Sequence, residues 1–249
     1  MSTGKTFYVD PKNVNTTSFI LDKEASHHIA QVFRLGIGSI ITLLDGIGSA
    51  YRARINSVNN GVVSGIIEKT LESYGENKVN IRIAPAIIKR NRFENLLEKV
   101  TELGCKEIQP LLTERTIKRT INIERSEKII VSASKQCQRS NFPIIYRPID
   151  ISSWLNGLEG QCFAGIQRAK HHLSELKIAK DQVINVMIGP EGDFSDKELD
   201  IMKNKGVMFY SLGTRRLRTE TAAQSTLSIL NELMTVSYTH LTLPTILRV

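Results

Sequence analysis

Hydrophobic positions along this chain change their period near residue 72. Before that point they come as short runs separated by turn residues. TFYV at 6–9 and SFIL at 18–21 have strand character, as do residues 39–44, 50–58 and 61–69. Asp45-Gly46 and Asn60-Gly61 fall between the last three runs and predict hairpins, because both dipeptides tolerate the positive φ such turns require. One segment, KEASHHIAQVFR at 23–34, has helical spacing, with Ile29, Val32 and Phe33 on one side. The pattern predicts a compact barrel with a single helix over residues 1–72. A barrel of this size serves equally as an RNA-binding module or as a structural cap.

Residues 71–80, LESYGENKVN, are polar and predict a linker. Beyond them strands alternate with helices. Strands are predicted at 79–88, 108–112, 163–166, 183–188 and 207–212, and helices at 92–103, 123–138 and from about 219 onward. Phe93, Leu96, Leu97, Val100 and Leu103 recur at helical spacing, and Gly104 closes that helix. Such alternation implies a parallel sheet with helices on both faces, an α/β domain over 73–236. The pattern stops abruptly at Ser237. The final stretch, SYTHLTLPTILRV at 237–249, carries Pro244 and reads as sequence foreign to the fold.

Composition narrows the class. Hydrophobic residues make up 41% and charged residues 23% of the 249, which suits a globular chain and argues against disorder. No apolar run reaches bilayer length, and the start lacks a basic-then-apolar signal, so the expectation is a cytoplasmic protein without membrane contact. Cys105, Cys137 and Cys162 are odd in number and lack close spacing, and read as reduced thiols.

Net charge is +8. Residues 1–72 hold only seven of the 33 basic and six of the 25 acidic side chains, so the excess lies in the larger C-terminal part. Phosphate neutralisation makes a polyanionic partner the natural inference. Candidate RNA contacts are Arg34 and the Arg52/Arg54 pair in the barrel. Lys89, Arg90 and Arg92, where a helix opens, are further candidates, as are Gln136 and Arg139, where another ends. Arg139 has a structural reading as well, as a helix C-cap. His27-His28 invites a metal, but neighbours on a helix point about 100° apart, and no cysteine or acidic cluster flanks them. No metal is expected.

Two segments stand out chemically. INVMIGPEGD at 184–193 is an apolar strand running into a Gly-Pro-Glu-Gly turn, followed by a capping box at Ser195-Asp196-Lys197-Glu198. YSLGTRRLRTET at 210–221 is a strand, then Gly213, then Arg215, Arg216 and Arg218 just before a helix. Positive charge at a helix N-terminus opposes the dipole, so an anion or carboxylate nearby is expected, and Glu191 and Glu220 are available. Both segments have the grammar of ligand loops at the carboxyl ends of strands. Neither G-x-G-x-x-G nor G-x-x-x-x-G-K-[ST] is present, which removes the dinucleotide and P-loop readings.

IGPEG followed by LG-x-R-x-LRTETA resembles the knotted SPOUT class of S-adenosylmethionine-dependent RNA methyltransferases. Within it the chain is similar to the RsmE family, the bacterial 16S ribosomal RNA uridine-N3 methyltransferases. HHIAQVFRLGIGSIITLLDGIG, EKVTELGCKEIQPLLTERT and KQCQRSNFP extend the likeness to about residue 236. The resemblance implies a PUA-like RNA-binding β-barrel, then a SPOUT α/β domain with a C-terminal trefoil knot. It also implies a homodimer with active sites at the subunit interface and 16S ribosomal RNA, within the small ribosomal subunit, as partner. Carried over position by position, the cofactor pocket comprises Ile188, Gly189, Pro190, Glu191, Gly192, Leu212, Gly213, Leu217, Arg218 and Thr219. Three positions depart from the family habit. Asp193 stands where a second glycine is usual, Arg216 where an aliphatic residue is usual, and Lys135 where an acidic one often precedes the glutamine.

Methylating N3 of uridine requires loss of a weakly acidic imide proton and stabilisation of the uracil anion. Arg218 is the first choice for the anion and Arg139 the second. Glu191 or Glu220 is available for the proton, or else each only holds an arginine in place. Other readings are a knotted methyltransferase acting on another RNA or on a ribose 2′-hydroxyl, and a catalytically inactive RNA-binding protein.

Overall fold

The computed structural model describes residues 5–77, 79–179 and 181–235. The tail at 237–249 lies outside the described residues.

The N-terminal unit is a five-stranded sheet. Its strands are β1 (Thr6–Tyr8), β2 (Ser18–Ile20), β3 (Ile40–Leu44), β4 (Ser49–Asn59) and β5 (Val62–Glu72), in the order β1-β3-β4-β5-β2. The Asn60-Gly61 turn has φ of 50° and 75°, the double positive φ of a type I′ hairpin. A helical segment begins as α1 (Lys23–His27) and continues as a π-type turn over His28–Val32. Its Ile29 is fully buried with Phe7, Phe19, Ile41, Leu43, Ala53 and Ile55. His28 packs edge-on against Phe7 and Phe33, an aromatic contact rather than a ligand's posture.

The second unit is built on a six-stranded parallel sheet, in the order β13 (Met208–Tyr210), β11 (Gln161–Gly165), β12 (Ile184–Ile188), β6 (Ile81–Pro85), β7 (Glu107–Ile108) and β9 (Ile144–Ile145). In chain order its elements are β6 (Ile81–Pro85), α2 (Arg90–Glu102), β7 (Glu107–Ile108), β8 (Leu111–Leu112), α3 (Ile123–Cys137), β9 (Ile144–Ile145), β10 (Ile149–Asp150), α4 (Ile151–Leu155), β11 (Gln161–Gly165), β12 (Ile184–Ile188), α5 (Asp196–Asn204), β13 (Met208–Tyr210) and α6 (Thr219–Thr235). Every residue of β12 is buried, because the strand is covered on both sides. On one side Ile184, Val186 and Ile188 meet Phe93, Leu96, Leu97 and Val100 of α2, Ile130 of α3, and Leu227 and Leu230 of α6. On the other, Met187 meets Trp154 of α4, Met202 of α5 and Phe194.

Two expectations change. The strand expected over 108–112 is broken by Gln109-Pro110. Proline has no N–H to donate, so the chain leaves the main sheet after β7 and re-pairs as β8 with β10. The stretch 71–80 is not a free linker either. Leu71 and Glu72 complete β5, and the Glu76 side chain is only 5% exposed.

Beside the place where the two units meet, Glu76 pairs with Arg139. Arg139 was expected to face RNA and was the second choice for the uracil anion. It is instead 2% exposed, with four hydrogen bonds from its guanidinium to protein groups. Nε and Nη2 donate to Glu76 at 3.1 and 2.9 Å, and Nη1 donates to the carbonyls of Thr101 and Cys105 at 2.9 and 2.8 Å. The Arg139 side chain thus satisfies carbonyls at the end of α2, while its backbone N–H donates to Ser134 of its own helix at 3.1 Å, past a C-cap, Gln138, with the left-handed φ of 61°. The same segment docks the barrel. Ser140 N–H donates to Tyr74, Ser140 Oγ to Gly48 and Phe142 N–H to Gly46, all at 2.8–2.9 Å. The amide-rich QRSNF stretch is therefore an interdomain seam, because its backbone groups are spent on the β3–β4 hairpin. Gln136, one turn earlier, remains exposed.

Burial alone raises the Glu76 carboxyl, but hydrogen bonds and charge from Arg139, with help from Lys106 and the Asn141 N–H, outweigh it and hold the group below its usual value. The native state then binds fewer protons than the unfolded chain, so this contribution is present at neutral pH and lost on acidification below about 4.5. Stability measured by urea unfolding should fall as pH drops through that window, and Glu76→Gln should flatten the dependence. Arg139→Ala removes the main partner of a buried carboxylate, leaving it only Lys106 and the Asn141 N–H, and should cost about 3–5 kcal/mol.

Candidate active site

Three parallel strands end side by side. Gly165 at the end of β11 is in register with Ile188 at the end of β12 and with Tyr210 at the end of β13. Chain leaving the three ends lines an open cavity with about 130 Å³ of water-accessible space. Its floor is apolar, with Ile188, Tyr210, Leu212, Leu217 and Ala222. Its walls carry Gln167, Glu191, Asp193, Arg215, Arg216 and Thr219. Gly165 allows the close approach of β11 to β13, since a Cβ there would sit 3.1 Å from Tyr210 Oη. That hydroxyl shares a 2.7 Å hydrogen bond with Thr226 of α6, and burial pushes the phenol well above its usual range.

The first loop, IGPEGD, is fixed at both ends. Ser195 and Glu198 form the expected capping box of α5: Ser195 N–H donates to Glu198 Oε2 at 2.8 Å, and Glu198 N–H to Ser195 Oγ at 3.4 Å. Asp193 holds φ of 63°, the left-handed region in which glycine is at ease and aspartate is tolerated. Its Oδ1 accepts from Phe194 N–H at 2.8 Å, and Phe194 is buried under the sheet. The backbone here thus gives a reason to expect glycine, and aspartate meets it.

The second loop lies directly against the first. Thr219 Oγ1 donates to the Gly189 carbonyl at 2.9 Å, and Arg216 Nη2 donates to the Glu191 carbonyl. Arg216, where an aliphatic residue was expected, therefore ties the two loops. Of the residues assigned to the cofactor, Ile188, Gly189, Pro190, Glu191, Leu212, Gly213, Leu217 and Thr219 line the cavity, whereas Gly192 and Arg218 do not. Arg218 is exposed and makes no ion pair with a described residue.

The carboxylates expected near the arginines are there, but they meet a different one. Arg92 Nη1 donates to Glu191 Oε1 at 3.1 Å, and its Nε lies 3.7 Å from Glu220 Oε1. Arg92 at the start of α2 thus bridges both loops rather than standing free for RNA. Glu220 Oε2 is buried without a hydrogen-bond partner among the described residues. Lys89, Arg90 and Arg34 are exposed.

Gly165, Ile166 and Gln167 form a wall that sequence reasoning missed. The strand ahead of them was legible. Its place between β12 and β13 follows only from sheet order, and no local signal encodes that.

The described residues include no group of three His, Cys, Asp or Glu placed to hold a metal, and no helix long and apolar enough to cross a membrane. The fold and the pocket together define an RNA methyltransferase carrying a PUA domain. Residues 75–231 match the RNA methyltransferase domain, and residues 21–68 match the RNA methyltransferase PUA domain. The chain belongs to the ribosomal RNA small subunit methyltransferase E family. The relative from Rickettsia conorii is 30% identical over 201 residues, covering 79% of this chain and 82% of that protein. The Neisseria gonorrhoeae enzyme of the same name, solved bound to S-adenosyl methionine, superposes with a TM-score of 0.85 at 27% identity, covering 92% of this chain and 98% of that one. A Legionella pneumophila chain solved with the cofactor SAM gives 0.82 at 30% identity, covering 92% and 97%.

Asp193→Gly should leave stability within a few tenths of a kcal/mol of the parent. Asp193→Val forces a β-branched residue into the left-handed region and should cost about 1–2 kcal/mol. Thermal unfolding of the two variants checks both values.

Proposed function

We propose that this protein transfers a methyl group from S-adenosylmethionine to N3 of a uridine in 16S ribosomal RNA. The observation that carries the reading is the direct contact of the two loops around an apolar-floored cavity at the strand ends. The chemistry of the lining suits this cofactor. Apolar side chains offer faces for a flat heterocycle, exposed loop backbone offers polar groups for its edge, and Glu191 and Asp193 set negative charge beside a sulfonium. Arg215 and Arg216 suit the carboxylate of the amino-acid end.

The cofactor supplies an electrophilic methyl that needs no metal. The protein must present N3 without its proton. Our reading assigns that proton to Glu191, supported by its position in the cavity lining and its 46% exposure. Arg92 is a positioning residue, holding Glu191 and Glu220 and with them the two loops. Arg218 is left for the negative charge that develops on uracil, being exposed and beside Thr219. A homodimer belongs to the same reading, since Arg218 stands outside the cavity of its own chain and a second copy or the RNA must bring its charge into use. The deep knot and the division at residues 72 and 73 go with it.

Methyl transfer from labelled cofactor to unmodified small-subunit particles, followed by nucleoside mass spectrometry, tests the assignment. Methylation on ribose, or on a base other than uracil, overturns it. Thr219→Val removes the 2.9 Å tie to Gly189 and should weaken cofactor binding by about five- to tenfold in calorimetry. Arg218→Ala should lower turnover by about a hundredfold with RNA affinity unchanged, and intact turnover would remove Arg218 from the mechanism.

A further inference from the structure

The most exposed large apolar side chain described is Ile117, at 98%. Single exposed apolar residues are ordinary on protein surfaces. This one differs in how it is mounted and in what surrounds it.

Residues 113–122 connect β8 to α3, and Ile117 sits at their tip. The base of this strap is tightly built. Thr116 N–H donates to the Thr113 carbonyl at 3.1 Å, and the two threonine hydroxyls lie 2.7 Å apart, buried. Arg115 Nη1 donates to the Gly192 carbonyl at 2.5 Å and to the Phe194 carbonyl at 3.2 Å. Glu114 N–H donates to Glu198 at 2.8 Å. The strap is therefore bolted, through Arg115, to the loop that forms one wall of the cofactor cavity, and Ile117 two residues on stands in solvent.

Beyond the tip the chain turns cationic. Lys118 and Arg119 are exposed, and Lys118 lines a second hollow of about 140 Å³ with Arg90, Phe93, Ile121 and Arg125. Glu94 serves both guanidiniums there, accepting from Arg125 at 2.6 and 2.9 Å and from Arg90 at 2.8 Å. Hydrogen bonds from Arg125 and then Arg90 hold that carboxyl down at about 2, so it stays charged, yet one anion faces three cations.

The chemistry of the reaction asks for such a device. N3 lies on the pairing edge of uracil, inside a stacked or paired strand. It reaches a cavity only if the base leaves its stack. Proteins that unstack bases commonly insert an apolar wedge while cations grip the flanking phosphates. We infer that residues 113–122 form a substrate strap, in which Ile117 occupies the space beside the displaced uridine and Lys118, Arg90 and Arg125 hold a neighbouring phosphate in the second hollow. The inference rests on the methyl-transfer reading above. RNA is favoured over a second copy of this chain because the tip's cations would meet the basic excess that residues 73–236 carry.

The test uses the full chain and unmodified small-subunit particles. Ile117→Ala removes an exposed side chain, so melting temperature and calorimetric affinity for S-adenosylmethionine should match the parent. Methyl transfer under single-turnover conditions should slow by about tenfold or more. Lys118→Gln should instead weaken particle binding and lower its salt dependence. A benzophenone amino acid at 117 should crosslink to the nucleotide next to the one methylated. Parental turnover by Ile117→Ala overturns the wedge, as does a crosslink to another copy of this chain. If the parent itself fails to methylate the particles, the underlying reading has failed instead, and the two failures are told apart by that control.

Discussion

Register in one parallel sheet is the constraint from which the site follows. β12 is buried along its whole length, so it cannot shift without exposing apolar side chains or burying polar backbone. Pairing with β11 on one side, and of β11 with β13 beyond it, puts Ile188, Gly165 and Tyr210 in one row. Each strand stops at that row. Three loops therefore leave from one edge, and a cavity opens between them. The loops add little stability of their own, but they need the row to meet at all.

Polar groups around the cavity are mostly committed to holding the loops together. Thr219 meets the Gly189 carbonyl, Arg216 meets Glu191, and Arg92 spans Glu191 and Glu220. An arginine cluster ahead of a helix is unfavourable in isolation, and the structure answers it at Arg216 with the Glu191 backbone carbonyl, while the carboxylates of Glu191 and Glu220 go to Arg92. The arrangement is preorganised, which suits chemistry in which alignment matters more than an activated group. Arg139 shows the same economy elsewhere. Its one guanidinium closes the end of α2, neutralises Glu76 and pins the segment that docks the barrel.

The basic character of the chain is spread unevenly by function. Arg139 and Arg92 are spent on internal contacts, so the overall positive charge overstates what is free to meet phosphate. Arg34, Lys89, Arg90, Lys118 and Arg119 remain at the surface. Counting charge from composition cannot separate these roles, since burial and pairing are decided by which elements pack together.

The sequence by itself determined a good deal. Most strand and helix identities followed from periodicity, because burying one face of an element fixes the spacing of its apolar residues, while the short β9, β10 and α4 did not. The Asn60-Gly61 turn and the Ser195–Glu198 cap were legible because their chemistry is local to a few residues. IGPEG and LRTETA marked the ligand loops for the same reason, and their likeness to a known family supplied the cofactor. Tertiary structure alone decided the rest. Gly165 to Gln167 became a wall through sheet order, Pro110 moved a strand into a different sheet, and Arg139 went inside because Glu76, 63 residues earlier, came to meet it. These outcomes depend on contacts between distant segments, and no short stretch of sequence carries the partner's position.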